Sequence, residues 1–403
     1  MNERPLSVLC LASYHKGEEF LRQLKREGAR VLLLTSKSLE HELWPRESID
    51  EIYFMPDVNK EWVTEDMIQG VSHVARTERF DRIVALDDFD VEKAAMLREH
   101  LRVGGMGDTT ARYFRDKLAM RTRAVEAGLA VPPFVALVHD ETVNGYLGRV
   151  PGPWVVKPRF QAGGIGIKKV STPAELWTLS DLLAGKRSFH LVEKFVPGSV
   201  YHVDSIVDGG EIVYSIASAY AKPPMEVVHE GRVFSTRTLS RDSATSKRLL
   251  DLNGKLLRSM GLRQGVSHSE FIESDASGEL LFLETSSRVG GAHIVELIEG
   301  ATGLNLWAEW ARLEVSSEEK PYVLPPHRDD AAGLIVSLAR QEKPDMSVFD
   351  APEVVWRLHK KHHVGLVVVS PSDERITELL ETYTKRVYDD FFASQPLPDR
   401  PTS

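Results

Sequence analysis

The stretch Ser267–His293, SHSEFIESDASGELLFLETSSRVGGAH, limits what this chain can fold into more than any other part of it. Two carboxylates, Glu270 and Glu284, stand on either side of the polar segment Ser274–Gly278, with Phe271 and Ile272 before it and Leu280–Leu283 after it. An apolar run, a tight polar turn and a second apolar run predict a buried β-hairpin, which sets Glu270 beside Glu284 on neighbouring strands. Two buried carboxylates repel one another, so a positive partner is expected between them. Mg²⁺ on oxygen ligands meets that need, and so does a lysine or arginine. Arg288 follows four residues after Glu284, and Gly290 and Gly291 come next, where backbone can approach a ligand closely.

The chain has 403 residues, enough for two to three domains. A net charge of −9 argues against nucleic-acid binding by a general basic surface, though it leaves room for a local basic pocket. Cys10 is the single cysteine, which excludes an intrachain disulfide and a cysteine-rich zinc site and suits a reducing compartment. No run approaches a membrane span, and MNERPLSVLCLASY lacks the apolar core and cleavage site of a signal peptide. The expectation is a cytoplasmic protein with no membrane and no nucleic-acid partner.

Leu6–Leu11, Val31–Leu34, Ile49–Phe54 and Ile83–Leu86 are short apolar runs, and helical patterns at Glu18–Glu27 and Asp66–Thr77 alternate with them. That spacing predicts right-handed βαβ units and a parallel sheet. No G-x-G-x-x-G follows the first run, so a dinucleotide fingerprint is missing. Ligands of such sheets bind at the carboxyl ends of the strands. Ser13, Tyr14 and the cluster Asp87, Asp88, Asp90 and Glu92 are candidates on that ground; acidic residues also suit a solvated helix N-terminus.

From Arg112, RYFRDKLAMRTRAVEAG predicts a basic helix carrying Lys117 and ending at Gly128. WVVK (154–157) is strand-like and closes at Pro158; RFQAGGIGIKKV follows, where Gly163, Gly164 and Gly166 let backbone N–H groups fold over phosphates. This is not a P-loop, because no helix opens with G-K-[ST]. Ser188–Val192 reads as a strand running into Glu193–Gly198, and Tyr201–Val207 pairs with Glu211–Ala219. A helix over Arg241–Met260 leads into the hairpin. Beyond it come two helices split by a glycine, strands at Gly333–Ala339 and Val364–Val369, and an amphipathic helix over Asp373–Phe392. The lysines in the run His359–His363 oppose a cation there.

Taken in order, these pieces resemble the ATP-grasp superfamily, and within it the carboxylate–amine (L-amino-acid) ligase branch related to biotin carboxylase. DKLAMRTRAVEAGLAVPPF is similar to the family's first ATP-lysine segment, WVVKPRFQAGGIGIKKV to its second lysine and phosphate loop, and LVEKFVPGSVYHVD to its adenine hinge. SHSEFI…LFLETSSRVGGAHI is similar to the metal-binding strands and catalytic arginine, and ATGLNL to the helix break after them. The resemblance implies an α/β and α+β protein of three-domain architecture. Residues 1–110 would form an N-terminal parallel α/β domain, 111–192 a small central lid, and 193–318 the C-terminal catalytic domain. A C-terminal α/β extension would run over 319–395, with a disordered tail at 396–403.

The resemblance also implies an enzyme that joins a small carboxylate, plausibly an amino acid, to an amine through an acyl phosphate, with ADP and phosphate released. ATP and Mg²⁺ (or Mn²⁺) are the implied cofactors, small-molecule carboxylates and amines the implied partners, and a homodimer is allowed. Lys117 and Lys157 would contact the ATP phosphates under a loop of Gly163, Gly164 and Gly166. Glu193, Lys194, Phe195 and Val196 would meet adenine, with His202 beside them. Glu270, Glu284 and Ser286 would carry the metal, Arg288 would hold the developing oxyanion, His268 would be a catalytic residue near the substrate and, with Asp87 and Glu92, a candidate base for the amine, and Gly290 and Gly291 would receive the substrate. A biotin-carboxylase-like or formyl-phosphate enzyme, or a non-catalytic nucleotide-binding protein, would share the fold.

Two positions depart from the family pattern. Ser286 stands where asparagine is usual among the metal ligands, and Val200 where many ligases carry a ribose-binding glutamate, a task left to His202 or Asp204.

Overall fold

The computed structural model describes residues 4–394; the tail expected at 396–403 lies outside them. Four strands near the N-terminus, β1 (Ser7–Ala12), β2 (Arg30–Ser36), β3 (Glu51–Met55) and β4 (Arg82–Ala85), form the expected parallel sheet in the order β3-β2-β1-β4. Every residue of β1 is buried, because helices cover both faces; a strand of that kind reads as a continuous apolar run rather than an alternating one. Chain order reverses between β1 and β4, so the crevice beyond their carboxyl ends is the expected ligand position for this topology.

A second sheet is small and antiparallel. It contains β5 (Phe134–Ala136), β6 (Trp154–Pro158), β7 (Lys168–Val170) and β8 (His190–Lys194), in the order β5-β8-β6-β7. β8 crosses the division expected at residue 193. The basic helix is also broken differently from the sequence reading: a short turn of helix over Asp108–Arg112 is separate from Lys117–Glu126. Asp116 caps the second helix by accepting from the N–H of Leu118 at 3.0 Å, which resets the helix start. That helix packs on the third sheet, where Phe114, Met120 and Ala124 share a core with Phe271 and Phe282.

The third sheet is the largest. β9 (Gly198–Asp208), β10 (Glu211–Tyr220), β11 (Phe234–Thr238), β12 (Gly265–Ser274), β13 (Leu280–Ser286), β14 (Ala331–Leu338), β15 (Val354–Arg357) and β16 (His363–Ser370) lie in the order β13-β12-β9-β10-β11-β14-β16-β15. β14 pairs with β11 from Phe234 opposite Val336 to Arg237 opposite Gly333, so the C-terminal strands extend this sheet and do not build one of their own. One core runs from the parallel sheet to this one. Phe20, on the helix Glu18–Arg26, meets Trp310, on Leu306–Glu314, at 5.0 Å between ring centroids.

Gly198 opens β9 opposite Ser274, and a side chain there would collide with the backbone: a Cβ would stand 2.1 Å from the carbonyl oxygen of Glu273. Gly198→Ala is expected to lower stability by about 1–3 kcal/mol through overpacking. Gly148→Ala, in a helix with nothing within 4 Å, should leave it unchanged or raise it by about 0.5 kcal/mol. Urea titration of both variants checks the contrast.

Candidate active site

The hairpin forms as its sequence predicts. Glu270 of β12 lies opposite Glu284 of β13, and the turn falls between Ser274 and Leu280. The register then slips: Phe271 faces Phe282, and Leu283 is left over as a β-bulge. Side chains alternate along a strand, so without the extra residue Phe282 would share a face with Glu284. With it, Phe282 joins Phe271 in the core at 5.9 Å between rings, and Glu284 stays on the opposite face.

That face is a lattice of three strands. Its rows are Val200–Ile272–Leu281, then His202–Glu270–Glu284, then Asp204–His268–Ser286. It forms one wall of a cleft of about 710 Å³, ordinary for a small-molecule site. Lys157 and Glu193 of the small sheet line the cleft from across, and Asp87, Asp88 and Phe89, beyond β4, line it from the parallel sheet.

Cations in the cleft already stand on carboxylates. Lys117 Nζ lies 2.9 Å from Glu284 Oε2 and donates to the carbonyl of Gln161 at 2.6 Å, which ties the helix Lys117–Glu126 to the glycine loop. Burial alone would raise the Glu284 carboxyl; Lys117 and Lys157 outweigh it and hold the group below the usual carboxylate range. Lys157 Nζ donates to Glu193 Oε1 at 3.1 Å. Arg288 donates through Nε and Nη2 to Asp88 Oδ2 at 2.9 and 2.6 Å.

The loop between β6 and β7 holds Gly163, Gly164 and Gly166 at φ of 65°, 73° and 75°, a left-handed conformation that glycine adopts without cost. Gly163 and Gly164 line the cleft. Gly166 packs behind it, where a Cβ would come within 2.8 Å of Pro158. Phe195, Val196 and Pro197 connect β8 to β9 along the cleft. The backbone of Val196 makes no hydrogen bond among the described residues, which leaves its N–H and C=O for a ligand edge. Lys194 lines the cleft too, but its ammonium is tied to the carbonyls of Pro151 and Gly152 at 2.5 and 2.9 Å.

Behind the carboxylates runs a buried polar chain. His202 joins Thr236 Oγ1 at 2.9 Å to Asp204 Oδ2 at 2.7 Å; Asp204 Oδ1 meets His268 Nδ1 at 2.9 Å. Tyr220 donates to Glu270 Oε1 at 2.8 Å, and His268 Nε2 stands 3.6 Å from the same oxygen. Burial would lower the His268 imidazole, but Asp204 and Glu270 outweigh it and push it up to about 10. His202, fully buried against the same aspartate, is lowered by burial, so the two rings share one charge. Histidine–aspartate–histidine groups can hold a metal, yet both nitrogens of His202 and Nδ1 of His268 are spent on protein partners.

This arrangement corrects the reading of His202. It shares the cleft face, but the ring of Tyr220 covers it at 4.7 Å and no surface is left for a nucleotide. Asp204 is equally buried, so neither can stand in for the glutamate missing at Val200. Gly291 lines the cleft while Gly290 packs against Ile294 and Asp204. Glu270, Glu284 and Ser286 reach the cleft together. Only one oxygen of each carboxylate is engaged by a protein donor among the described residues, so the second oxygen of each, with the serine hydroxyl, fits a hard cation such as Mg²⁺. Sequence reasoning missed Tyr220, which carries no local signal, and Arg121. The spacing of Lys117 and Arg121 offered a clue to the latter, since residues four apart share a helix face.

No protein-family model matches the chain. It is 24% identical over 282 residues to the L-arginine-specific L-amino acid ligase of Bacillus subtilis, covering 68% of this chain and 67% of the relative. The solved L-amino acid ligase of Bacillus licheniformis superposes with a TM-score of 0.74 at 15% identity, over 98% of this chain and all of that one. An N5-carboxyaminoimidazole synthetase from Staphylococcus aureus, solved with ADP, gives a TM-score of 0.70 at 13% identity over 95% and 99%. These structures share the architecture of this chain from its parallel sheet to its C-terminal strands.

Arg121 and Glu193 form a buried pair at 3.1 Å, in which Nε and Nη1 of the arginine have no hydrogen-bond partner among the described residues. Glu193→Ala should therefore lower unfolding free energy by about 3–5 kcal/mol, because it strands the guanidinium. Replacing both residues, Arg121→Met with Glu193→Leu, should recover most of the loss, as read by urea unfolding of the three variants.

Proposed function

We propose that this chain, a member of the ATP-grasp superfamily, is an ATP-dependent carboxylate–amine ligase whose carboxylate substrate is an amino acid. The observation that carries the reading is the pairing of Glu270 with Glu284 on the wall of one cleft that also holds Lys117, Lys157 and Arg288. Phosphoryl transfer asks for positioning and charge neutralisation rather than covalent help, and those are the groups present.

In this reading ATP lies along the cleft. Its adenine meets the backbone of Val196 beside Phe195; its phosphates meet Lys117, Lys157 and the N–H groups of the glycine loop. Glu270, Glu284 and Ser286 would hold Mg²⁺, which would supply neutralisation of the phosphate oxygens. The substrate carboxylate attacks the γ-phosphate to give an acyl phosphate and ADP. An amine then attacks the acyl carbon, phosphate leaves, and an amide remains. Arg288 donates N–H groups to the oxyanion formed in that attack.

His268 does not act as the base for the amine. With its imidazole pushed up to about 10 it is a cation at neutral pH, so it donates a hydrogen bond and helps fix Glu270. Closing the glycine loop over the phosphates keeps water from the acyl phosphate.

With MgATP and pooled L-amino acids, the protein should release ADP and phosphate and form dipeptides in equal amounts. EDTA should abolish the release, and Glu284→Ala should lower kcat by about 100-fold or more while the melting temperature holds. Bicarbonate-dependent ADP release without dipeptide would point to the carboxylase chemistry instead. No substrate-dependent ADP across a broad panel of carboxylates and amines would reject the ligase reading. Mass spectrometry of co-purified ligand would name the substrate.

A further inference from the structure

The carboxylates of Asp87-Asp88-Phe89-Asp90, beyond β4, are not equivalent. Asp87 accepts from the N–H of Phe89 at 3.0 Å and pairs with Lys16 at 2.5 Å. Asp90 accepts from the N–H of Ser13 at 2.7 Å and pairs with Lys93 at 2.8 Å, which ties the end of β1 to the end of β4. Both fasten the N-terminal fold to itself. Asp88 reaches instead across the cleft to Arg288, 200 positions away in the chain.

We propose that Asp88 is a positioning residue: it fixes the Arg288 guanidinium at the cleft so that its uncommitted N–H groups face the oxyanion of the reaction. A guanidinium has five N–H donors in a rigid plane. Nε and Nη2 each give one to Asp88 Oδ2, and Nη1 gives one to the carbonyl of Val289 at 2.6 Å, so the plane is held from two sides. The donors that remain have a fixed direction before any substrate arrives, and Arg288 lines the cleft.

Asp88 itself is held for this one task. Its side chain is 5% exposed, and Oδ1 is buried with no hydrogen-bond partner among the described residues. A carboxylate kept only for packing would leave no such atom bare, since an unsatisfied buried acceptor costs stability. Burial opposes charge on both groups, and neighbouring charges outweigh it: Arg288 first, with Arg115 and Lys16, holds Asp88 far below the usual carboxylate range, and Asp88 first, with Asp87 and Glu284, holds Arg288 above the usual guanidinium range. A paired arginine offers less net charge to an anion than a bare one, so the gain is in orientation. It should appear in kcat and leave ATP binding alone.

The identity of the oxyanion rests on the ligase reading; the hold of Asp88 on Arg288 does not. Two readouts separate them, the second needing no turnover. In steady-state ADP release, Asp88→Ala should lower kcat about 100-fold with the KM for ATP unchanged. Asp88→Asn, which keeps one acceptor oxygen, should fall between it and wild type. By NMR on protein with ¹⁵N-labelled arginine, the Arg288 Nε–H signal, assigned through Arg288→Lys, should be protected from solvent exchange in wild type. It should stay so in Asp87→Asn, weaken in Asp88→Asn and be lost in Asp88→Ala. An Arg288 signal equally protected in wild type and Asp88→Ala overturns the proposal whether or not the enzyme turns over. So does a kcat unchanged in Asp88→Ala, or a loss carried wholly by the KM for ATP. A wild-type protein that releases no ADP with any substrate, but shows the protected signal and its loss, rejects the ligase reading and keeps the positioning role.

Discussion

The cleft face of the large sheet depends on one unpaired residue, Leu283. In a regular hairpin the core-facing and cleft-facing sets of β13 would alternate without interruption, and Phe282 could not be buried while Glu284 faced the cleft. The bulge absorbs a half-period between them. Phe271 and Phe282 then anchor the hairpin from below, and Glu270, Glu284, His268 and Ser286 gather above. Two carboxylates side by side on neighbouring strands would push the pair apart unless something opposed their repulsion. Lys117 does so for Glu284, and Tyr220 and His268 do so for Glu270.

The same logic extends through the cleft. Lys117 rests on Glu284, Lys157 on Glu193, Arg288 on Asp88 and His268 on Asp204. Charges paired in this way are partly desolvated before a ligand enters, so binding of a polyanion would be an exchange of partners. A lysine that turns from a carboxylate to a phosphate keeps its neutralisation and need not be stripped of water again. The three sheets take distinct parts: the large one supplies the carboxylates, the small one a lysine and the glycine loop, and the parallel one the aspartate that holds the arginine.

Much of this could be read in the sequence because it is local. A hairpin with a polar turn, a lysine before a proline and a glycine loop each announce themselves within about ten residues, and the parallel sheet follows from the alternation of strand and helix. What stayed hidden needs contacts between distant segments. LLFL shows no periodicity that could reveal a bulge. Tyr220 reads as the end of an ordinary strand, and only folding brings its hydroxyl to Glu270, fifty residues on. His202 differs from its pattern for the opposite reason. A family pattern puts a histidine on the cleft face, and here Tyr220 lies over it. The helix Lys117–Glu126 contributes its lysine to the cleft while its apolar side packs on the large sheet, a division no local pattern announces.

The valine at 200 finds its reason in the same lattice. Val200, Ile272 and Leu281 stand in one row across three strands, directly beside the row that carries Glu270 and Glu284, and they form a small apolar cluster of their own. A glutamate at 200 would bring a further negative charge within one residue pair of two others, against apolar neighbours that cannot neutralise it. Valine instead gives the carboxylate row a dry flank. Lower local polarity strengthens each ionic contact in that row, Lys117 with Glu284 above all. The departure at 200 thus belongs to the support of the carboxylate pair, and the bulge at Leu283 makes room for it by returning Leu281 to the cleft side of the sheet.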